Sequence, residues 1–204
     1  MVKVKICGIT RWEDAKLAVD LGATSLGFVF WGKSPRFVTP SVVQTIVRRL
    51  PSNIATVGVF VDMPLQEIEQ IVEHVQLSAV QLYGEQPISS FASLRCRLIK
   101  AIGVEGEGCI KEIDSIPNSV TLLLDAHDPV KVGGTGRAID WAVAATVAKS
   151  RQIFLAGGLN SDNVREAVRK VKPYGIDVSS GVERVPGEKD PNALRAFFRE
   201  ALTK

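Results

Sequence analysis

GFVFWGKS, residues 27–34, matches G-x-x-x-x-G-K-S, the pattern of the phosphate-cradling loop of ATPases. Whether that match is real decides the fold. A true loop of this kind is a flexible turn that opens a helix at its Lys-Ser. Here the four residues between the glycines are Phe28, Val29, Phe30 and Trp31, which read as the end of a buried strand. Pro35 follows Ser34 directly and drives Ser34 away from helical angles. The next helix start falls only at Thr39-Pro40, a capping side chain before a proline at the first helical position. The nucleotide reading fails, and the segment becomes a strand, a loop carrying Arg36, and a helix.

The same unit repeats outward from this stretch. Short β-branched runs at 2–6, 25–30, 55–60, 79–83, 97–102, 121–125, 152–156 and 175–180 alternate with amphipathic segments. Val164, Ala167, Val168 and Val171 follow helical spacing, as do Leu194, Phe197, Phe198 and Ala201. Thr10 with Glu13 reads as a capping box, and Asp190 as a cap before Pro191. Helices are also expected over Ile88–Leu94 and Gly108–Ile116 on weaker patterns. Eight strand–helix units in 204 residues are roughly 25 residues each, near the lower limit for a (β/α)8 barrel. The expected fold is α/β, a TIM barrel with short loops, residues 1–204 forming one catalytic domain. An open doubly wound sheet is the alternative.

Composition narrows the function. With 46% hydrophobic and 23% charged residues, the chain reads as a globular protein. The longest uncharged run, 21–32, is too short to span a membrane, and the N-terminus lacks the apolar run of a secretory signal. A net charge of +3 without basic blocks argues against nucleic acid and suits a small anionic substrate. Three cysteines and two histidines lack metal spacing, so no metal site is expected, and a cytoplasmic location is. Cys96 and Cys109 read as packing residues, His74 as a surface residue, and Trp12, Trp31 and Trp141 as packing. His127 is a weaker candidate for the site mouth.

Chemistry gathers where strands end. Cys7 closes the first strand and Asp125 the sixth. Glycine turns follow the last three: GGTG (133–136, with Gly134), AGGL (156–159, with Gly157 and Gly158) and SSGVE (179–183, with Ser180 and Gly181). Turns after strands seven and eight commonly build a barrel's phosphate site, because glycine lets backbone N–H groups approach an anion. Asn160 and Asn163 stand where a helix would open after AGGL. On the first strand, Val2, Val4 and Ile6 face the helices and Lys5 and Cys7 face the interior. Asp177 faces inward on the eighth strand, the first strand's neighbour in a closed barrel. An inward lysine needs such a partner, so a Lys5–Asp177 pair is expected, with the ammonium favouring the thiolate of Cys7.

These stretches together resemble the phosphoribosylanthranilate isomerases of tryptophan biosynthesis. The resemblance rests on KICGIT (5–10), GFVF and KSPRFV (27–38), VGVFVD (57–62), VQLYGE (80–85), LLLD (122–125), GGTG, LAGGLNSDNV (155–164), DVSSGVE (177–183) and GEKD (187–190). It implies a cofactor-free Amadori rearrangement of N-(5′-phosphoribosyl)anthranilate, a phosphosugar carrying an anthranilate carboxylate. Cys7 would be the general base and Asp125 the general acid, with a raised pKa. Arg36 would hold the carboxylate, and Gly157, Gly158, Ser180, Gly181 and the GGTG loop the phosphate. Gln81, Tyr83 and Asp177, inward by parity, are expected as further substrate contacts. Two positions depart from the family pattern: Tyr83 stands where histidine is usual, and Trp31-Gly32 where Tyr-Pro is common. The sister isomerase of histidine biosynthesis is a second enzyme reading, though it favours aspartate where Cys7 stands. A barrel that kept the phosphate pocket without catalysis is a third, and gives no reason for the Cys7–Asp125 pair.

Overall fold

The computed structural model describes residues 1–104, 108–126 and 139–203. Eight parallel strands, β1 (Lys3–Ile6), β2 (Ser25–Val29), β3 (Ala55–Val61), β4 (Ala79–Tyr83), β5 (Arg97–Val104), β6 (Thr121–Ala126), β7 (Ile153–Leu155) and β8 (Gly175–Val178), pair in chain order. β8 returns to pair with β1, which closes the barrel and rules out the open sheet. Around it lie α1 (Trp12–Asp20), α2 (Pro40–Val47), α3 (Leu65–Val75), α4 (Cys109–Ser115), α5 (Trp141–Ala148), α6 (Val164–Val171) and α7 (Pro191–Leu202). A short antiparallel hairpin, β9 (Glu183–Val185) and β10 (Glu188–Lys189), precedes α7.

Each strand is sided as the alternation requires. Val4 and Ile6 pack toward the helices, while Val57, Ala79, Ile99, Leu123 and Phe154 fill the interior. The register sets Lys5 opposite Asp177, and Lys5 Nζ donates to Asp177 Oδ1 at 2.9 Å in full burial. The helices dock by their apolar stripes. In α7, Leu194, Phe197, Phe198 and Ala201 are all buried, and the large side chains contribute about 1.5–3 kcal/mol each. Truncating Phe197 to alanine would cost about 3–5 kcal/mol.

Three local expectations need correction. Thr10 does not cap α1; its hydroxyl donates to Gly187 O in the β9–β10 hairpin, and Arg11 takes the cap position without a side-chain capping bond. Thr39 occupies the cap of α2 ahead of Pro40, but its side chain makes no capping bond. Ile88–Leu94 yields only a 3-10 turn, Ile88–Phe91, too short to sustain α-helical bonding and anchored by buried Phe91. At α7 the cap signal holds: Asp190 accepts from the backbone N–H groups of Asn192 and Ala193.

The 27–34 stretch is confirmed as strand and turn. Phe28 and Phe30 are core residues, Ser34 N–H donates to Trp31 O, and no helix begins between Gly27 and Pro40. Cys109 and Cys96 pack against the core, and His74 is exposed near the end of α3.

Candidate active site

At the mouth formed by the strand C-termini, one cavity is lined by Cys7, Arg36, Gln81, Tyr83, Asp125, Asp177, both residues of the Gly157–Gly158 turn, and Ser180 and Gly181. All the expected site residues therefore meet there except Gly134, which lies outside the described residues, as does His127. Trp31 also lines this cavity, with Val29, Val59 and Tyr83, so it is a wall of the site and not only a packing residue. A cavity at the opposite mouth, lined by Lys3, Ser25 and Arg97 among others, carries no carboxylate, thiol or imidazole among its described lining residues.

Cys7 sits one residue beyond β1. Its Sγ shares a crowded corner with Lys5 Nζ: a Cβ at Gly27 would lie 2.8 Å from the sulfur and 3.0 Å from the ammonium. Gly27, the first glycine of the false nucleotide-loop match, leaves the room that this pair occupies. Burial pushes the Cys7 thiol above its ordinary value, Lys5 pulls it down, and burial wins. The expected ammonium effect exists, but burial outweighs it.

Asp125 closes β6 inside the same wall. Burial pushes its carboxyl up to about 6. Hydrogen bonds from Tyr83 Oη to Oδ2 (3.0 Å) and from Ala126 N–H to Oδ1 (2.8 Å) hold it back. Tyr83 is itself a neutral donor, since burial and the nearby carboxylate push the phenol well above its usual value.

Arg36 reaches the cavity with half its fork in use. Nε and Nη2 donate to Glu183 Oε1 (2.9 Å) and Oε2 (2.7 Å). This two-point clamp fixes the guanidinium plane and leaves its remaining N–H groups for a ligand. Burial pushes the Glu183 carboxyl up, but Arg36 and Lys189 together bring it below its ordinary value.

The glycine turns are built against each other. Gly157 and Gly158 have φ of 78° and 68°, a left-handed pair suited to glycine. A Cβ on Gly181 would stand 1.9 Å from Leu159 O, so the turn after β8 packs directly on the turn after β7. Asn163 staples the latter without capping α6: its Oδ1 accepts from Asn160 N–H and its Nδ2 donates to Gly158 O, both at 2.9 Å. Gln81 and Ser179 point polar side-chain atoms into this cavity that are buried and have no partner among the described residues.

The family model for N-(5′-phosphoribosyl)anthranilate (PRA) isomerase matches residues 4–200. The chain belongs to this family. It is 50% identical over 201 residues to an N-(5′-phosphoribosyl)anthranilate isomerase of Pelobacter propionicus, covering 98% of this chain and 96% of that protein. The crystal structure of the Thermotoga maritima phosphoribosyl anthranilate isomerase is 41% identical, covers 98% of both chains and superposes with a TM-score of 0.91. Another solved PRA isomerase, in complex with reduced 1-(o-carboxyphenylamino)-1-deoxyribulose 5-phosphate, is 39% identical over 98% of both chains, with a TM-score of 0.87.

Sequence reading gave no role to four residues that line or support this cavity: Ser179 on its wall, Gly27 beside Cys7, Glu183 on Arg36 and Lys189 on the Cys7 carbonyl. Glu183 and Lys189 stand inside the SSGVE and GEKD stretches, so position was available as a signal. Parity could not supply their contacts, because both lie on the short β9–β10 hairpin outside the barrel, which the strand runs of the sequence do not include.

Proposed function

We propose that this chain is a phosphoribosylanthranilate isomerase, converting N-(5′-phosphoribosyl)anthranilate to 1-(2-carboxyphenylamino)-1-deoxyribulose 5-phosphate in tryptophan biosynthesis, with residues 1–204 as one catalytic domain. The observation that carries this reading is one cavity shared by Cys7, Asp125, Arg36 and two glycine turns, in a chain matched to the family over nearly its whole length.

The phosphate binds at the Gly157–Gly158 and Ser180–Gly181 turns, where backbone amides can converge on an anion. The anthranilate carboxylate takes the free N–H groups of Arg36. Gln81 and Ser179, whose buried side-chain polar atoms have no partner among the described residues, bind the ribose hydroxyls, with Tyr83 and Asp177 along the same wall.

Asp125 delivers its proton to the furanose ring oxygen as the C1′–O bond breaks, leaving an iminium between C1′ and the anthranilate nitrogen. Cys7 then takes the proton from C2′, and the C2′–H electron pair moves into the iminium to give an enolamine. Return of a proton to C1′ and loss of the C2′ hydroxyl proton give the ketone. The nitrogen is the electron sink. The free protein holds the opposite proton arrangement, a thiol and a carboxylate, near neutral pH. The reactive arrangement moves one proton from sulfur to carboxyl. The substrate's two anionic groups raise the carboxyl further and favour that arrangement on the acid side.

The test is an anthranilate-fluorescence assay with freshly made substrate. Wild-type protein consumes it; Cys7→Ser loses turnover by at least about a hundredfold, the usual scale of one acid–base group, while still binding a reduced product analogue. A wild-type protein inert in this assay refutes the assignment.

A further inference from the structure

The reaction just described, on whose assignment this inference rests, makes no use of Lys189. Yet Lys189 is among the most deeply buried large side chains, 1% exposed. An ammonium has three N–H donors, and here all three are spent. Nζ donates to the backbone carbonyl of Cys7 at 2.6 Å, to that of Ser179 at 3.2 Å and to Glu183 Oε1 at 2.8 Å. The backbone N–H of Lys189 is also fixed, donating to Asp14 Oδ2 at 2.9 Å. The residue is thus held at both ends.

Its three acceptors belong to three different parts of the site. Cys7 is the proposed base, at the end of β1. Ser179 precedes the Ser180–Gly181 turn, at the end of β8. Glu183 clamps the guanidinium of Arg36. Cys7 N–H donates to Val178 O at 2.9 Å, where the β1–β8 ladder runs out. Lys189 takes the next carbonyls on both strands. Packing alone gives little reason for a buried ammonium here, since well-packed apolar residues commonly replace buried ion pairs at no loss of stability. Apolar atoms cannot orient two carbonyls and a carboxylate.

We propose that Lys189 is a positioning residue for catalysis: its ammonium sets the backbone of the base, the strand end that leads into the phosphate turn and, through Glu183, the arginine that receives the substrate carboxylate. It touches no reacting atom. Lys189 also lies close enough to Cys7 to help lower the thiol's proton affinity.

The test compares kcat and KM for Lys189→Met and Glu183→Gln with those of the unmodified chain, after circular dichroism shows that each is folded. Displacement of a reacting group by about 1 Å costs on the order of a hundredfold, so Lys189→Met is expected to lower kcat by about that factor and to raise KM. Glu183→Gln breaks only the arginine arm. It is expected to raise KM about tenfold, with a smaller effect on kcat, as loss of a ground-state contact does. A folded Lys189→Met protein with kcat and KM both within about twofold of the unmodified chain overturns the proposal, because a purely structural staple would change stability alone. If Lys189→Met does not fold, Glu183→Gln decides: an unchanged KM overturns the proposal. Turnover by the unmodified chain is measured first. Its absence sinks the assigned reaction, whereas its presence with unaffected variants sinks only the role of Lys189.

Discussion

The Tyr83 hydroxyl donates to Asp125 Oδ2 at 3.0 Å, joining the tip of β4 to the tip of β6 across the cavity wall. This contact occupies the position where the family pattern has histidine. A neutral phenol here stabilises the carboxylate without adding a cation, and so works against the burial that raises Asp125 to about 6. Asp177 pushes in the same direction as burial, while Lys5 and the Ala126 N–H oppose it.

Tyr83→Phe is expected to move the acid limb of the pH–rate profile upward. With the carboxyl at about 6 and the thiol raised above its ordinary value, the reactive thiolate–carboxylic acid pair has a constant population between the two and declines below about 6. A hydrogen bond to a charged group contributes about 1.5–3 kcal/mol, so its loss changes the proton affinity of Asp125 by roughly tenfold or more. Comparing kcat profiles of the two proteins cancels the titration of the substrate phosphate. A limb that stays in place refutes the contact's role.

Asp125→Asn is expected to stabilise the protein while removing its activity. The folded-state value is raised, so ionising this group opposes folding: the cost is absent below 3.8 and complete above about 6. An amide has no such titration; its oxygen can keep the Ala126 N–H bond, and its NH2 can donate to the Tyr83 oxygen, which then accepts where it had donated. Urea unfolding at pH 8 should show a gain of up to about 3 kcal/mol that shrinks toward pH 4, with turnover down by at least about a hundredfold. Equal stability of the two proteins at pH 8 counts against a raised Asp125.

Lys5→Met should be strongly destabilising, and the double variant with Asp177→Asn much less so. The single change leaves Asp177 buried and unpaired, at a cost of about 3–5 kcal/mol, whereas removing both charges together can be near neutral. The single variant should also slow alkylation of Cys7 by a small iodoacetamide reagent at fixed pH, since Lys5 favours the thiolate. Additive stability losses in the double-mutant cycle, or an unchanged alkylation rate, contradict this pairing.

Gln81→Met is expected to trade binding for stability. Both polar side-chain atoms of Gln81 are buried without partners among the described residues, and each such atom costs about 1–3 kcal/mol. Methionine fills similar space without that cost, so unfolding should need more urea while KM rises. A less stable variant with unchanged KM means that Gln81 serves packing and not the substrate.

The sequence alone determined the barrel and the inner face of its strands. Alternation is a local property: once residues 2–6 and 175–180 are strands, side-chain direction follows from the pleat. Ring closure then leaves Lys5 little choice but Asp177, a partner 172 residues away. Cys7, Asp125 and the glycine turns were legible for the same reason, since strand C-termini share one mouth. Tertiary structure alone decided how these groups are tuned and held. Tyr83 finds Asp125 across 42 residues, Arg36 finds Glu183 across 147, and Lys189 reaches the Cys7 carbonyl across 182. None of these distances is set by a strand or helix period. Thr10 shows the rule from the other side: its local capping signal lost to Gly187, an acceptor that only the closed fold brings within reach. Hydrogen bonds depend on fractions of an ångström between segments, and chain periodicity carries no information at that scale until the segments have packed.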